Sequence, residues 1–306
     1  MNMIGTNVLG TACVLAAALL AGMATRALGA DANFSLPAPA TQPAAVKYSP
    51  PSHKNILGTT FVDWDALPVR VQPAGFGRAV FDNPTSTLDK FEMHISTLRP
   101  GMISHPVHQH AWEEILLVKE GEVEVSQNGQ LKRCGPGALI FYASHDPHNI
   151  KNPDDKKDAT YYVMNFVTDR VHTVSEKPAL EQAIPGMLGS TIFDADSMTP
   201  TPTAIGSTLT VVNSPSITFK TFGFHVTTLN AGASTKTDIV DPGDELFIIK
   251  TGILEVTVNG VSHRMKEGSF FYCAPNDKRT LKNLGTTPAV YQVLKIVSDK
   301  TPAAAG

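Results

Sequence analysis

The sequence predicts an all-β protein made of two like β-barrels in tandem, each of jelly-roll type. Three observations predict it. The chain is written twice, its short strand-like runs are divided by glycine and proline clusters, and no amphipathic helix longer than two turns appears.

The repeat carries most of the weight. "ILGTTFVDWD", starting at Ile56, matches "MLGSTIFDAD", starting at Met187, and "MHISTLRPG" from Met93 matches "FHVTTLNAG" from Phe224. Pro84 falls on Pro215, Gly121 on Gly252, Gly129 on Gly260, Gly137 on Gly268 and Asn152 on Asn283. All these pairs share an offset of 131 residues, without a gap from Ile56 to Asn152. One residue is then dropped, so that Ala159 falls on Ala289. A constant offset over so long a stretch marks two copies of one folding unit. The units are residues 56–186 and 187–306.

Within each copy the local pattern is β. "FEMHISTL" and "TYYVMNF" are rich in aromatic and β-branched residues, which suit a pleated, half-buried surface. "EVEVSQNGQLKR" alternates and breaks at Asn128-Gly129, and "EVTVNGVSHR" does the same at Asn259-Gly260. Asn-Gly tolerates the positive φ that a two-residue hairpin turn demands.

Ahead of the repeat, residues 1–30 read as an export signal. "CVLAAALLAG" from Cys13 is a short apolar core, and "RALGAD" from Arg26 offers small residues for cleavage after Ala30. No Lys or Arg precedes Cys13. The rival is a membrane anchor, but the apolar stretch from Val8 to Ala24 is only 17 residues, at the short limit for a span. Residues 31–55 are rich in Pro and Ala without either period, and read as an extended tail or linker. Export places the rest of the chain in the periplasm or outside the cell, with no membrane partner once the signal is gone. Cys134 and Cys273 would remain there, either paired or as separate small apolar residues.

Composition excludes one class of partner. The 306 residues are 42% hydrophobic and 17% charged, which suits a globular chain with a sizeable core. Net charge is −3 and no basic block stands out, so a nucleic-acid partner is excluded and a small molecule is expected. Self-association of the chain is left open.

The stretch "GMISHPVHQHAWEEILLVKEG", from Gly101, concentrates ligand-type side chains. Alternate residues of an extended strand share a face, so His108 and His110 project together, and Glu114 is in phase if the chain stays extended. Downstream, "GALIFYASHDPHNIKN" adds His148 and Asn152. Three imidazoles and a carboxylate suit one divalent transition metal (Mn, Fe, Ni, Cu or Zn) and are a poor set for Ca or Mg. Four protein ligands on an octahedral ion leave two positions open.

These residues resemble the cupin superfamily, and the repeat resembles its two-domain members, the bicupins. The first cupin motif is matched by Gly101, His108, His110, Glu114 and Gly121. The second is matched by Gly137, His148 and Asn152, with Ala143 and His145 where proline and glycine are usual. The resemblance implies a barrel that holds one transition metal through His108, His110, Glu114 and His148. The second copy lacks the set: Ile239, Asp241 and Arg279 stand for the three histidines, and only the glutamate recurs, as Glu245. Arg279 then either pairs with Glu245 or Asp241 and fills the cavity, or binds an anionic ligand there.

Proton transfer near the ion is assigned to His105, Glu113 and His145. Each has a plainer reading: His105 as a loop residue, Glu113 turned away by strand alternation, His145 in a loop free to face either way. His94 recurs as His225 and reads as structural; Trp64 and Trp112 read as core or rim, and Tyr142 as barrel lining or wall. Two functions follow. One is an exported metalloenzyme acting on a small organic molecule, of the dioxygenase or hydrolase/lyase type found among bicupins with one intact site. The other is a non-catalytic module that binds or stores a metal or small ligand. A solvent-connected cavity with a protonatable group beside the ion favours the first, and a plugged barrel the second.

Overall fold

The computed structural model describes residues 44–182 and 184–303. The export signal expected at residues 1–30 lies outside them. Two barrels in tandem are present, and their strands keep the 131-residue offset. Gly75–Asn83 and Lys90–Leu98 in the front half correspond to Gly206–Ser214 and Thr221–Leu229 in the rear. Both Asn-Gly pairs turn hairpins with φ near +50° at the asparagine, and Gln127 pairs Gln130 just as Val258 pairs Val261.

Each barrel has a large and a small sheet. In the front barrel the seven-stranded sheet runs Thr191–Asp194, Ala138–Tyr142, Glu113–Glu120, Ala159–Val167, Lys90–Leu98, Gly75–Asn83, Arg70–Gln72. The opposing sheet runs Ala44–Val46, His108–His110, His148–Lys151, Val123–Gln127, Gln130–Cys134. The first strand of the large sheet comes from the rear half, and Ile192 pairs Ile140. The rear half receives the reciprocal strand: Thr60–Val62 joins its large sheet, with Phe61 on Phe271. Each half thus closes the other's sheet, so the exchanged strands do not follow the boundary at residue 187.

The two large sheets pack face to face. Phe91, Phe141, Phe166 and Leu117 of the front half meet Phe219, Phe222, Phe270 and Leu246 of the rear in one buried cluster, and each barrel has a separate interior cluster. Strand alternation sorts the residues. In Glu113–Glu120, Ile115 and Leu117 face the other half, whereas Leu116 and Val118 face the barrel interior. That is why "EEILLVKE" is apolar on both faces, like a strand covered on both sides.

One expectation is corrected and one open alternative is decided. Residues 31–55 are not all tail: Ala44–Val46 form a strand parallel to His108–His110, with Val46 on His110. The period was illegible because the strand is three residues long and exposed throughout. Of the two readings left open for Cys134 and Cys273, the unpaired one holds: both are free and lie in different barrels. Among the described residues, no helix is long and apolar enough to cross a membrane.

Candidate metal centre

His108, His110, Glu114 and His148 each turn one ligand atom to a common point, all within 4.8 Å of one another. Three strands bring them together. His108 pairs His148 across the small sheet, and Glu114 reaches in from the large sheet opposite. His110, Glu114 and His148 are buried, and His108 is partly so.

The ring orientations are fixed from behind. His148 Nδ1 donates to the carbonyl of Asp146 at 2.7 Å, and His110 Nδ1 to that of Trp112 at 2.7 Å. His108 Nδ1 meets His105 Nδ1 at 2.7 Å, one nitrogen donating and the other accepting. Where Nδ1 donates, as it does on His110 and His148, Nε2 is left to ligate, which is how metal-binding imidazoles are commonly set. His148 Nε2 is buried with no hydrogen-bond partner, an arrangement that is costly unless something fills it. His110 Nε2 stands 3.2 Å from Glu114 Oε2. Aromatic faces brace two of the rings: Trp112 stacks on His110 at 4.2 Å and 3°, and Tyr142 on His148 at 4.1 Å and 17°.

The electrostatics suit a cation. Burial pushes His148 down to about 3. Burial, with the neighbouring His105 and His110, pushes His108 down to about 4. Both rings are therefore neutral near pH 7 and offer lone pairs. Burial alone would raise Glu114, but its hydrogen bond to His110 and the surrounding imidazoles hold it down at about 2, so it is a carboxylate. Three imidazole nitrogens and one carboxylate oxygen fit a first-row divalent ion.

The set opens into a cavity of about 300 Å³. Its walls include His94, Ser96, Gln72 and Asn165 beside Leu116, Val163 and Tyr161, and Val46 of the N-terminal strand closes one side. Of the three expected proton movers, His105 lines this cavity. Glu113 does not: it is fully buried on the opposite face of its strand, where the Ser216 and Thr218 hydroxyls donate to it at 2.6 and 2.7 Å. Alternation along the strand separates it from its neighbour Glu114. His145 does not line the cavity either. It occupies a turn at φ +59°, the backbone region that glycine usually fills, and its N–H donates to the His110 carbonyl at 2.7 Å.

The rear barrel is filled instead. Arg279 Nη2 donates to Glu245 Oε1 at 2.8 Å and stands 2.7 Å from Oε2 as an ion pair, and Asp241 is taken by Lys295 at 2.6 Å. Of the two partners foreseen for Arg279, Glu245 is the one used. Sequence reasoning set His94 down as structural and placed Trp112 at core or rim and Tyr142 in the barrel lining or wall; only the pairing of strands shows that they adjoin the donors.

A model described as a cupin domain matches residues 94–165 and again 225–296. No curated protein matches the sequence. Among solved structures, AerE from Microcystis aeruginosa is 14% identical with a TM-score of 0.58, covering 78% of this chain and 99% of that one. Oxalate decarboxylase from Lactobacillus farciminis, as a formate complex, is 13% identical at TM-score 0.58, covering 82% and 90%. The Bacillus subtilis oxalate decarboxylase studied for its Mn(II) centres is 14% identical at 0.57, covering 80% and 78%. Two matches to one domain, the same two-barrel architecture in these neighbours and the convergent His/Glu set place the chain in the cupin superfamily: it is a bicupin, with its donor set intact in the front barrel and degenerate in the rear.

Proposed function

We propose that this bicupin is a metal-dependent enzyme that converts a small organic molecule at a single site in the front barrel. The observation that carries the reading is the open cavity beside the donors. A barrel built only to bury an ion would be plugged, whereas this one leaves about 300 Å³ with His94 and His105 in its walls. The ion, one of Mn, Fe, Ni, Cu or Zn, would be held by His108, His110, Glu114 and His148; when bound it supplies Lewis acidity at its open positions. Asp146, Trp112 and His105 keep the imidazoles in ligating orientation. Leu116, Val163 and Tyr161 exclude water from the inner wall. The reaction belongs to the dioxygenase or hydrolase/lyase type, and the Mn(II) centres of the oxalate decarboxylase neighbour support a divalent ion. We also propose that residues 1–30 direct export to the periplasm or beyond.

The test is metal analysis of the purified protein, followed by substrate screening under dioxygen and under nitrogen. One ion per chain, turnover in one of the two atmospheres, and loss of both ion and turnover in His108→Ala with unchanged circular dichroism are expected. A protein that binds one ion yet turns over nothing would favour storage or binding; one that takes up no ion would refute the site. N-terminal sequencing of the exported protein, expected to begin after Ala30, checks the signal.

A further inference from the structure

The front cavity holds a second constellation beside the four donors. Register across the large sheet sets Asn165 between Glu114 and Glu92, and Val163 between Leu116 and His94. His94 thus sits two strands away from the ligand strand, about 10 Å of backbone, on the face that lines the cavity.

Three hydrogen bonds and one ring stack connect it to the donor set. His94 Nδ1 donates to Glu92 Oε1 at 2.8 Å. Asn165 Nδ2 donates to Glu92 Oε2 at 2.7 Å, and Trp112 Nε1 donates to Asn165 Oδ1 at 2.9 Å. Trp112 then stacks on His110. A carboxylate only accepts, so Nδ1 carries the proton and Nε2 is left as the basic nitrogen available to the cavity. Burial works against charge on His94, but the hydrogen bond and charge of Glu92, with a smaller contribution from Glu114, outweigh it and raise the ring above its ordinary value.

The repeat acts as an internal comparison. His94 recurs as His225, which is why it reads as structural in the sequence. Its partners do not recur: Glu92 becomes Gly223, Asn165 becomes Lys295 and Trp112 becomes Gly243. Burial, Arg279 and Lys295 push His225 below its ordinary value, the reverse of His94. The network is present in the half that keeps the donors and gone from the half that lost them.

We propose that the Glu92–His94 pair is the proton acceptor of the front cavity, and that the cavity takes an uncharged small molecule with an ionisable O–H. This rests on the reading of that cavity as an active site. No lysine or arginine is among the residues lining it, so the ion is the one cation offered there; with the Glu114 carboxylate bound to it, a single positive charge is left, which suits a ligand that arrives neutral and keeps one negative oxygen. In the step, the O–H bond breaks, its electron pair stays on oxygen, and the proton passes to His94 Nε2. Glu92 holds the resulting imidazolium; no oxidant or reductant is needed.

The probe is acetohydroxamic acid, which is small, uncharged and carries one ionisable O–H. It is titrated into Zn(II)-loaded protein at pH 8 by calorimetry in buffers of different ionisation enthalpy, with nitrogen-15 NMR of the histidine rings. In the wild type the expected result is no net proton release to buffer and a newly protonated His94 Nε2. In His94→Gln the proton should go to the buffer or the affinity should fall roughly tenfold, with zinc content unchanged. Glu92→Gln, which keeps the imidazole, should bind the probe with less protonation of His94. Equal affinity and equal proton release in wild type and His94→Gln would overturn the assignment, as would a zinc-loaded wild type that ignores the probe. Failure to take up zinc at all would instead overturn the active-site reading, and this assignment with it.

Discussion

Replacing Arg279 by methionine should destabilise the rear barrel heavily. The guanidinium donates to one oxygen of Glu245 and is ion-paired with the other, and the two side chains are only 9% and 4% exposed. Without it the carboxylate is stranded, since Lys295 is already held by Asp241 at 2.6 Å; burial already raises Glu245 above the usual carboxylate range, so the unfolding is followed at pH 9, where taking up a proton is itself costly. An uncompensated buried charge costs about 3–5 kcal/mol. At 2–4 °C per kcal/mol for a chain of this size, the melting temperature should fall by roughly 6–20 °C. Adding Glu245→Leu removes the stranded charge, and the double variant should return to within about 1 kcal/mol of the wild type. Thermal and urea unfolding of the four proteins gives the cycle, and the front site's metal content serves as a control. An Arg279→Met cost under about 1 kcal/mol, or strictly additive losses, would refute the idea that an ion pair replaces the metal here.

Further outcomes follow from the same geometry. Burial raises Glu113 to about 7, so the folded state holds its proton more tightly than the unfolded chain. That contribution is full below pH 4.5 and is lost as pH rises through 7, so Glu113→Gln should flatten the decline in stability over this window, a difference of up to roughly 3 kcal/mol by unfolding. His108 and His148 behave oppositely. Their folded values of about 4 and 3 lie below the unfolded 6.5, so the metal-free protein should lose stability as pH falls from 6.5 toward 4, checked by the same melts. Combining Ile239→His, Asp241→His and Arg279→His with Lys295→Asn should raise metal content from one ion per chain to two, read by elemental analysis. Deleting residues 31–46 removes Val46 from the cavity wall, and the zinc-loaded protein should then yield its ion to a chelator faster.

Much of this was legible in the sequence because repetition and alternation are one-dimensional signals. The 131-residue offset marked two barrels, the Asn-Gly pairs marked hairpins, and the spacing of His108, His110 and Glu114 marked one inward face. Period two also foretold that Glu113 and Glu114 would part company. What the sequence cannot carry is adjacency between strands far apart in the chain. His94, Asn165 and Trp112 form one network only because Lys90–Leu98 and Ala159–Val167 pair in a particular register and bring Glu92 to Asn165. The same holds for Thr60–Val62 and Thr191–Asp194, which each close the other half's sheet.

The sequence by itself determined the fold class, the duplication and the four donors, since each is written in local spacing and residue type. Tertiary structure alone decided that the front barrel stays open while Arg279 and Glu245 close the rear. It also decided that Ala44–Val46 shield the ligand strand and that Glu92 meets His94 beside the donors. Hydrogen-bond register and the packing of two sheets set these contacts, and neither has a signature within a single stretch of chain.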